Sequence, residues 1–256
     1  MRRVILLGAS NLTLGLPCIL DELLSGFEEP VEVVAALGHG RSYGIWSSFL
    51  WRQLPGIIDC GLWTAIRLAE PSPDRTLAVI TDVGNDLLYG VEVLQIVNWV
   101  ETCLERLAEQ NAMVGVTLLP MQSVRRLSSW RYHLAKTLLF PGHKRIGWPK
   151  MRGRINDLNE QLRALATRYQ ARLFEPPGRW YGVDPIHIRR RDRPEAWREI
   201  LSLCAPEETT FRRCRPTMRF CCRCWTARPA EWRLCGRSRT TPQPVLSTDR
   251  LRLSLY

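Results

Sequence analysis

The sequence predicts an α/β domain built on a five-stranded parallel sheet with helices on both faces. Three observations lead there. Five short segments are almost wholly apolar, as strands buried on both faces are. They alternate with longer segments whose apolar residues recur at helical spacing. A polar cluster follows four of the five at what would be the carboxyl end of the strand. Parallel neighbours need crossover connections, so the alternation places helices on both faces and gathers the clusters at one sheet edge.

The first segment, residues 4–7, runs straight into Gly8-Ala9-Ser10-Asn11, and residues 11–24 continue with helical spacing. This reads as strand, tight turn, helix. Ser10 then stands beyond a strand end and near a helix N-terminus, whose free N–H groups favour developing negative charge. It is the candidate nucleophile, although Gly-x-Ser is also an ordinary connector. Phosphate-loop and dinucleotide patterns both fail, since no Lys-Ser or Lys-Thr follows and the glycine spacing is wrong. Residues 31–37 form the second strand and end in Gly38-His39-Gly40-Arg41-Ser42-Tyr43-Gly44. Three glycines in seven residues make a loop that either offers its N–H groups to an anion or is a flexible turn. His39 reads as a loop histidine rather than a base.

Residues 45–70 carry Trp46, Phe49, Trp51 and Trp63, broken by Pro55-Gly56, and fit two short helices with their aromatics in the core. A turn is expected at residues 71–74. The third strand, residues 76–81, leads into Asp82-Val83-Gly84-Asn85-Asp86, residues 94–108 form a helix, and residues 113–119 form the fourth strand. Residues 121–150 break the rhythm with Arg125, Arg126, Arg131, Lys136, Lys144, Arg145 and Lys150 among Trp130, Tyr132, Phe140 and Trp148. Such an insertion suits a substrate lid or wall, a solvated excursion or an RNA-contacting surface. A helix over residues 154–169 and a fifth strand over 171–174 precede a loop carrying Asp184-Pro185-Ile186-His187. Residues 194–203 read as a last helix docking Trp197, Ile200 and Leu201.

With 256 residues, 45% of them hydrophobic, the chain can bury a large core. It has no run of about 18 uncharged apolar residues, so stable membrane insertion is not expected. Met1-Arg2-Arg3 and the apolar stretch after it resemble a signal peptide, but Asn11, Thr13 and Pro17 interrupt the stretch and Asp21-Glu22 continues a helix. A cytoplasmic location is therefore expected, and nine irregularly spaced cysteines do not suggest a disulfide framework. The net charge is +11, yet residues 201–256 hold eleven Arg, no Lys and only four acids, so most of the excess lies in the tail. That distribution speaks against a nucleic-acid partner for the main domain. The tail also holds Cys204, Cys214, Cys221, Cys222, Cys224 and Cys235, without paired metal-ligand spacing and with no histidine beyond His187. The reading divides the chain into a domain over residues 1–203 and a basic Cys/Arg-rich tail over 204–256. The tail lacks periodicity and is expected to be disordered, with a composition that a shifted reading frame in GC-rich DNA also produces. A chain ending near Cys204 should then fold and keep its activity.

Together the clusters contain the parts of an acyl-transfer site. Ser10 needs an imidazole to take its proton, which His187 supplies. Asp184, three residues earlier, can hold the ring tautomer and stabilise the imidazolium. The Ser10 N–H, a glycine of the second loop and the Asn85 amide are candidate donors to a tetrahedral oxyanion.

Gly8-Ala9-Ser10-Asn11, the Gly38 loop, Gly84-Asn85-Asp86 and Asp184-Pro185-Ile186-His187 resemble, in order and separation, the four blocks of the SGNH hydrolases of the GDSL esterase/lipase superfamily. The resemblance spans residues 4 to about 200. It implies a flavodoxin-like three-layer αβα fold with strand order 2-1-3-4-5, and hydrolysis of carboxylic esters, or transfer of their acyl group, without metal or cofactor. It assigns Ser10, Asp184 and His187 to the catalytic triad and Ser10, Gly38 and Asn85 to the oxyanion hole. Ala9 stands where the family usually has aspartate, and Gly40 remains an alternative to Gly38. The implied partner is a small-molecule ester whose acyl and alcohol parts stay open, as does the oligomeric state; the basic residues 125–150 hint at an anionic substrate. An inactive relative that binds a ligand or carbohydrate is the alternative reading.

Overall fold

The computed structural model describes residues 1–69, 76–139, 146–211 and 216–256. The turn expected at residues 71–74, together with Phe140, Lys144, Arg145 and Cys214, lies outside the described residues.

The apolar segments pair because each has two buried faces to satisfy. In β1 (Arg2–Leu7), residues 4–7 are wholly buried. Val4 and Leu6 point to one layer, and Ile5 and Leu7 to the other. β1 continues through Gly8 into α1 (Ser10–Gly26), and β2 (Val31–Ala36) returns parallel to β1, with Val4 opposite Val33. The chain then forms a hairpin of β3 (Ser47–Phe49) and β4 (Arg52–Leu54), followed by α2 (Leu62–Leu68) and β5 (Leu77–Ile80), which flanks β1 on its other side. Next come α3 (Asn85–Leu88), α4 (Val93–Glu109), β6 (Met113–Thr117), α5 (Met121–Arg125), α6 (Ser129–Leu139), α7 (Trp148–Arg168), β7 (Arg172–Phe174) and α8 (Arg193–Cys204).

The strand order β2-β1-β5-β6-β7 is the expected one, all parallel. Apolar residues of α2, α4 and α7 cover one face, and those of α1 and α8 cover the other, giving three layers. Where α1 crosses α8 the helices meet so closely that a Cβ on Gly15 would lie 1.8 Å from Trp197 Nε1. Glycine is what lets the Trp197 ring seat there, and Trp197, Ile200 and Leu201 are buried as expected.

Two expectations are corrected. Residues 45–54 are not helical, and Trp46, Phe49, Leu50 and Trp51 are not core: the hairpin leaves them exposed, Trp51 by 71%. The described residues of the tail are built into the fold rather than disordered. It forms α9 (Met218–Thr226), β8 (Glu231–Leu234), β9 (Arg237–Thr240), β10 (Leu246–Ser247) and β11 (Leu251–Leu255). β11 lies parallel to β2 and β10 antiparallel to β11, so the main sheet has seven strands instead of five. β8 and β9 extend the β3–β4 hairpin into a second, four-stranded antiparallel sheet. The physical reason is alternation. Leu251, Leu253 and Leu255 face the layer containing α1 and are nearly fully buried, while Arg252 points outward. No described helix is long and apolar enough to cross a membrane.

Candidate active site

The polar clusters meet at the carboxyl edge of the sheet, as parallel strands require. Ser10 opens α1, and the loop after β7 brings His187 to it from 177 residues away. His187 Nε2 lies 2.8 Å from Ser10 Oγ, and His187 Nδ1 lies 2.6 Å from Asp184 Oδ2. Asp184 also accepts the N–H groups of Ile186 at 3.0 Å and His187 at 3.2 Å, a local turn that fixes the carboxylate under the ring. Burial alone would raise the Asp184 carboxyl. The hydrogen bond and charge of His187 and the two backbone N–H groups outweigh it and hold the carboxyl below the usual carboxylate range.

Asn85 stands at the start of α3 beyond β5, and its side-chain Nδ2 is buried with no hydrogen-bond partner. A buried donor without an acceptor costs about 1–3 kcal/mol, a cost that an acceptor atom entering the cleft would relieve. Ser10 and Asn85 line one apolar cleft of about 970 Å³, walled by Leu119, Tyr132, Trp148 and Ile186. The 121–150 segment thus supplies a wall. Tyr132 and Trp148 are buried with ring centroids 4.9 Å apart, and the Tyr132 hydroxyl donates to Ile146 O at 3.0 Å.

Gly38 is not among the residues of that cleft; it borders the neighbouring one with His39. A Cβ on Gly38 would fall 2.2 Å from Leu54 Cδ1, so β4 packs directly on this turn. Gly40 has φ +64°, in the left-handed region that glycine tolerates.

Two residues that shape the cleft edge go unmarked by the sequence reading. Asp82 is held at φ +60°, and Oδ2 of its carboxylate accepts the N–H groups of Ala9 at 2.9 Å, Asn11 at 3.0 Å and Leu12 at 3.2 Å. It caps α1 across the sheet and takes the N–H groups on both sides of Ser10 but not that of Ser10 itself. This narrows the expectation that the whole helix N-terminus is open to charge: most of it serves Asp82. Asn11 donates through Nδ2 to Asp82 Oδ1 and Ile186 O, both at 2.8 Å, and its Oδ1 accepts Ile188 N–H at 2.9 Å. Asn11 therefore pins the backbone on both sides of His187. A polar residue directly after a candidate nucleophile was the only local signal.

The loop after β2 is fastened by Asp86. Its carboxylate accepts the Ser42 hydroxyl and, at 2.9 Å, the Tyr43 N–H, while the Tyr43 hydroxyl donates to Thr81 O at 2.8 Å. Burial pushes the Asp86 carboxyl up from 3.8 to about 7, against the opposing Ser42 and Tyr43 hydrogen bonds. The folded protein therefore holds this proton more tightly than the unfolded chain. Its contribution to stability is present in full below about pH 3.8 and is lost as pH rises through about 7. Relative to an Asp86→Asn variant, the parent is expected to lose about 4 kcal/mol across that window, at roughly 1.4 kcal/mol per pH unit. Urea unfolding of both proteins at several pH values checks it, and parallel pH profiles would contradict the assignment.

No protein-family model matches the chain, and no curated protein does either. Among solved structures, TesA superposes with a TM-score of 0.48 at 16% identity, covering 77% of this chain and 94% of that one. A member of the lipolytic protein G-D-S-L family from Veillonella parvula gives 0.47 at 13% identity, with 75% and 92% covered. AlinE4, an SGNH-hydrolase family esterase, gives 0.40 at 16% identity, with 86% and 88% covered. SGNH and GDSL hydrolases thus stand among the structural neighbours of this chain. Identities and scores are low, and the chemistry of the site rests on its own residues.

Proposed function

We propose that this protein is a serine hydrolase that cleaves carboxylic esters, or transfers their acyl group, through Ser10, His187 and Asp184. The observation that carries the reading is the unbroken hydrogen-bonded chain from Ser10 Oγ through both ring nitrogens of His187 to Asp184. His187 Nε2 takes the Ser10 proton as Oγ attacks the ester carbonyl, and Asp184 holds the tautomer that leaves Nε2 free and stabilises the imidazolium. The tetrahedral oxyanion is met by the N–H of Ser10 and the unpartnered Asn85 Nδ2, while Gly38, which borders the neighbouring cleft, is left out of the donor set. Collapse of the intermediate expels the alcohol, which takes its proton from His187. Water or a second alcohol then attacks the acyl-Ser10 ester by the same steps in reverse. The apolar cleft beside Ser10 suits the acyl part.

A serine-directed fluorophosphonate should label Ser10 stoichiometrically, with the label located by peptide mapping. An intact protein that stays unlabelled and cleaves no aryl ester, acetylated sugar or lysophospholipid would favour the inactive-binder alternative. Asn85→Ala is expected to lower kcat by about 10²–10³-fold with KM nearly unchanged, the cost of one oxyanion donor. A change carried mainly by KM would make Asn85 a substrate-binding group instead.

A further inference from the structure

A second cleft, of about 1240 Å³, opens on the other side of the first turn of α1, bordered by Thr13, Gly38 and His39. Its charged lining is entirely basic: Arg52 from β4, and Arg190 and Arg193 from the segment after His187. Among the described residues no carboxylate lines it. Arg52 Nε is buried without a hydrogen-bond partner, and burial followed by the nearby cations Arg228 and Arg41 holds the guanidinium below its ordinary pKa. Arg193, likewise lowered by burial, has Cys18 and Arg190 as its charged or titratable neighbours. Partly buried guanidinium groups facing one cavity without a counter-charge are unfavourable, and a bound anion relieves them. The planar forks of arginine suit phosphate and carboxylate oxygens.

His39, on the border of this cleft, is near enough to the candidate base to feel its charge. Burial, then the charge of His187, then that of Arg52 hold the His39 ring below the ordinary histidine range, so it stands electrically between the candidate base and the arginines. Its ring also packs on Phe49 of the hairpin, 5.0 Å between centroids. On the far side α9 contributes Trp225, so the tail builds part of the wall. Ser10 lines the apolar cleft, and Thr13, one turn further along α1, lines the basic one. An ester spanning both has an apolar acyl chain and an anionic alcohol.

We infer that the Arg52–Arg190–Arg193 cleft is an anion subsite that binds a phosphate group on the alcohol portion of the ester. The alcohol assignment rests on the ester-hydrolase reading above; the anion site itself does not. The test compares the monobutyryl esters of glycerol, glycerol 3-phosphate and glycolic acid as substrates, and titrates glycerol 3-phosphate into the protein by calorimetry. The phosphorylated ester should be preferred over the glycerol ester by about 10- to 100-fold in kcat/KM, the usual worth of hydrogen bonds to a charged group. That ratio should collapse in Arg52→Gln and fall in Arg190→Gln, where the exposed position makes misfolding a poor explanation. A larger preference for the glycolate ester would assign the site to carboxylate and overturn the phosphate choice. Equal kcat/KM for the neutral and charged esters, or a phosphate preference unchanged in both variants, would overturn the proposal. Were no ester cleaved, the hydrolase reading would fall alone: glycerol 3-phosphate binding lost in Arg52→Gln would still support the anion site, and no binding to the parent would end it.

Discussion

Replacing Ser10 by alanine is expected to abolish turnover, lowering kcat by roughly 10⁴–10⁶-fold on any ester the parent hydrolyses, because members of a nucleophile–base unit act together. His187→Ala should cost about as much, and the double variant little more than either alone, since each single change already removes the attacking alkoxide. The Ser10 side chain makes its hydrogen bond to His187, while α1 is held at its start by Asp82 through the N–H groups of Ala9, Asn11 and Leu12. The thermal midpoint of Ser10→Ala should therefore stay close to that of the parent. Asp184→Asn should also be damaging, because an amide in place of the carboxylate favours the wrong tautomer at His187 Nδ1. Steady-state rates on an aryl ester, read beside circular dichroism of each variant, check all of these. Turnover near that of the parent in folded Ser10→Ala would remove the mechanism.

The parts of the fold that could be read from sequence are those where burial leaves a contiguous mark. β1, β2, β5 and β6 are covered on both faces, so they are written as nearly continuous apolar runs, whereas their order along the sheet was an implication of the family resemblance rather than of the runs themselves. The β3–β4 hairpin left no such mark. Phe49, Leu50 and Trp51 are exposed and only Leu54 of its apolar residues is buried, and it turns through Leu50 at φ +55°, where glycine or asparagine would have announced the bend. The residues 251–255 do alternate Leu with Arg and Ser, a strand signal obscured by the arginine- and cysteine-rich composition before it. Ser10, Asp184 and His187 were legible because their motifs lie at strand ends in a recognisable order. Asp82 and Asn11 act through hydrogen bonds to groups 70 to 177 residues away, and nothing local in the sequence records those.

A chain shortened to end near Cys204 is expected to lose cooperative folding, contrary to what the composition of the tail suggests. Removal of β11 strips the main sheet of Leu251, Leu253 and Leu255, and Leu246 of β10 goes with them. Each contributes ~1.5–3 kcal/mol of burial, so the four together approach the whole net stability of a typical domain. The entropy of ordering the tail offsets part of this. Three further losses are not offset in that way. The Val31 N–H loses Arg250 O, and Ala35 O loses the Tyr256 N–H, so β2 becomes an open edge with an apolar face. Phe27 loses the edge-on Phe211 ring 5.9 Å away. Arg41, wholly buried, loses its bond to Tyr256 O and is left with Pro55 O and Leu37 O as backbone acceptors among the described residues. Leaving a buried cation short of partners costs several kcal/mol, more than a surface loop repays. Near-ultraviolet dichroism and a urea titration of the shortened chain should show exposed apolar surface and no sharp transition. A midpoint equal to that of the full chain would place the boundary of the folding unit back at residue 203.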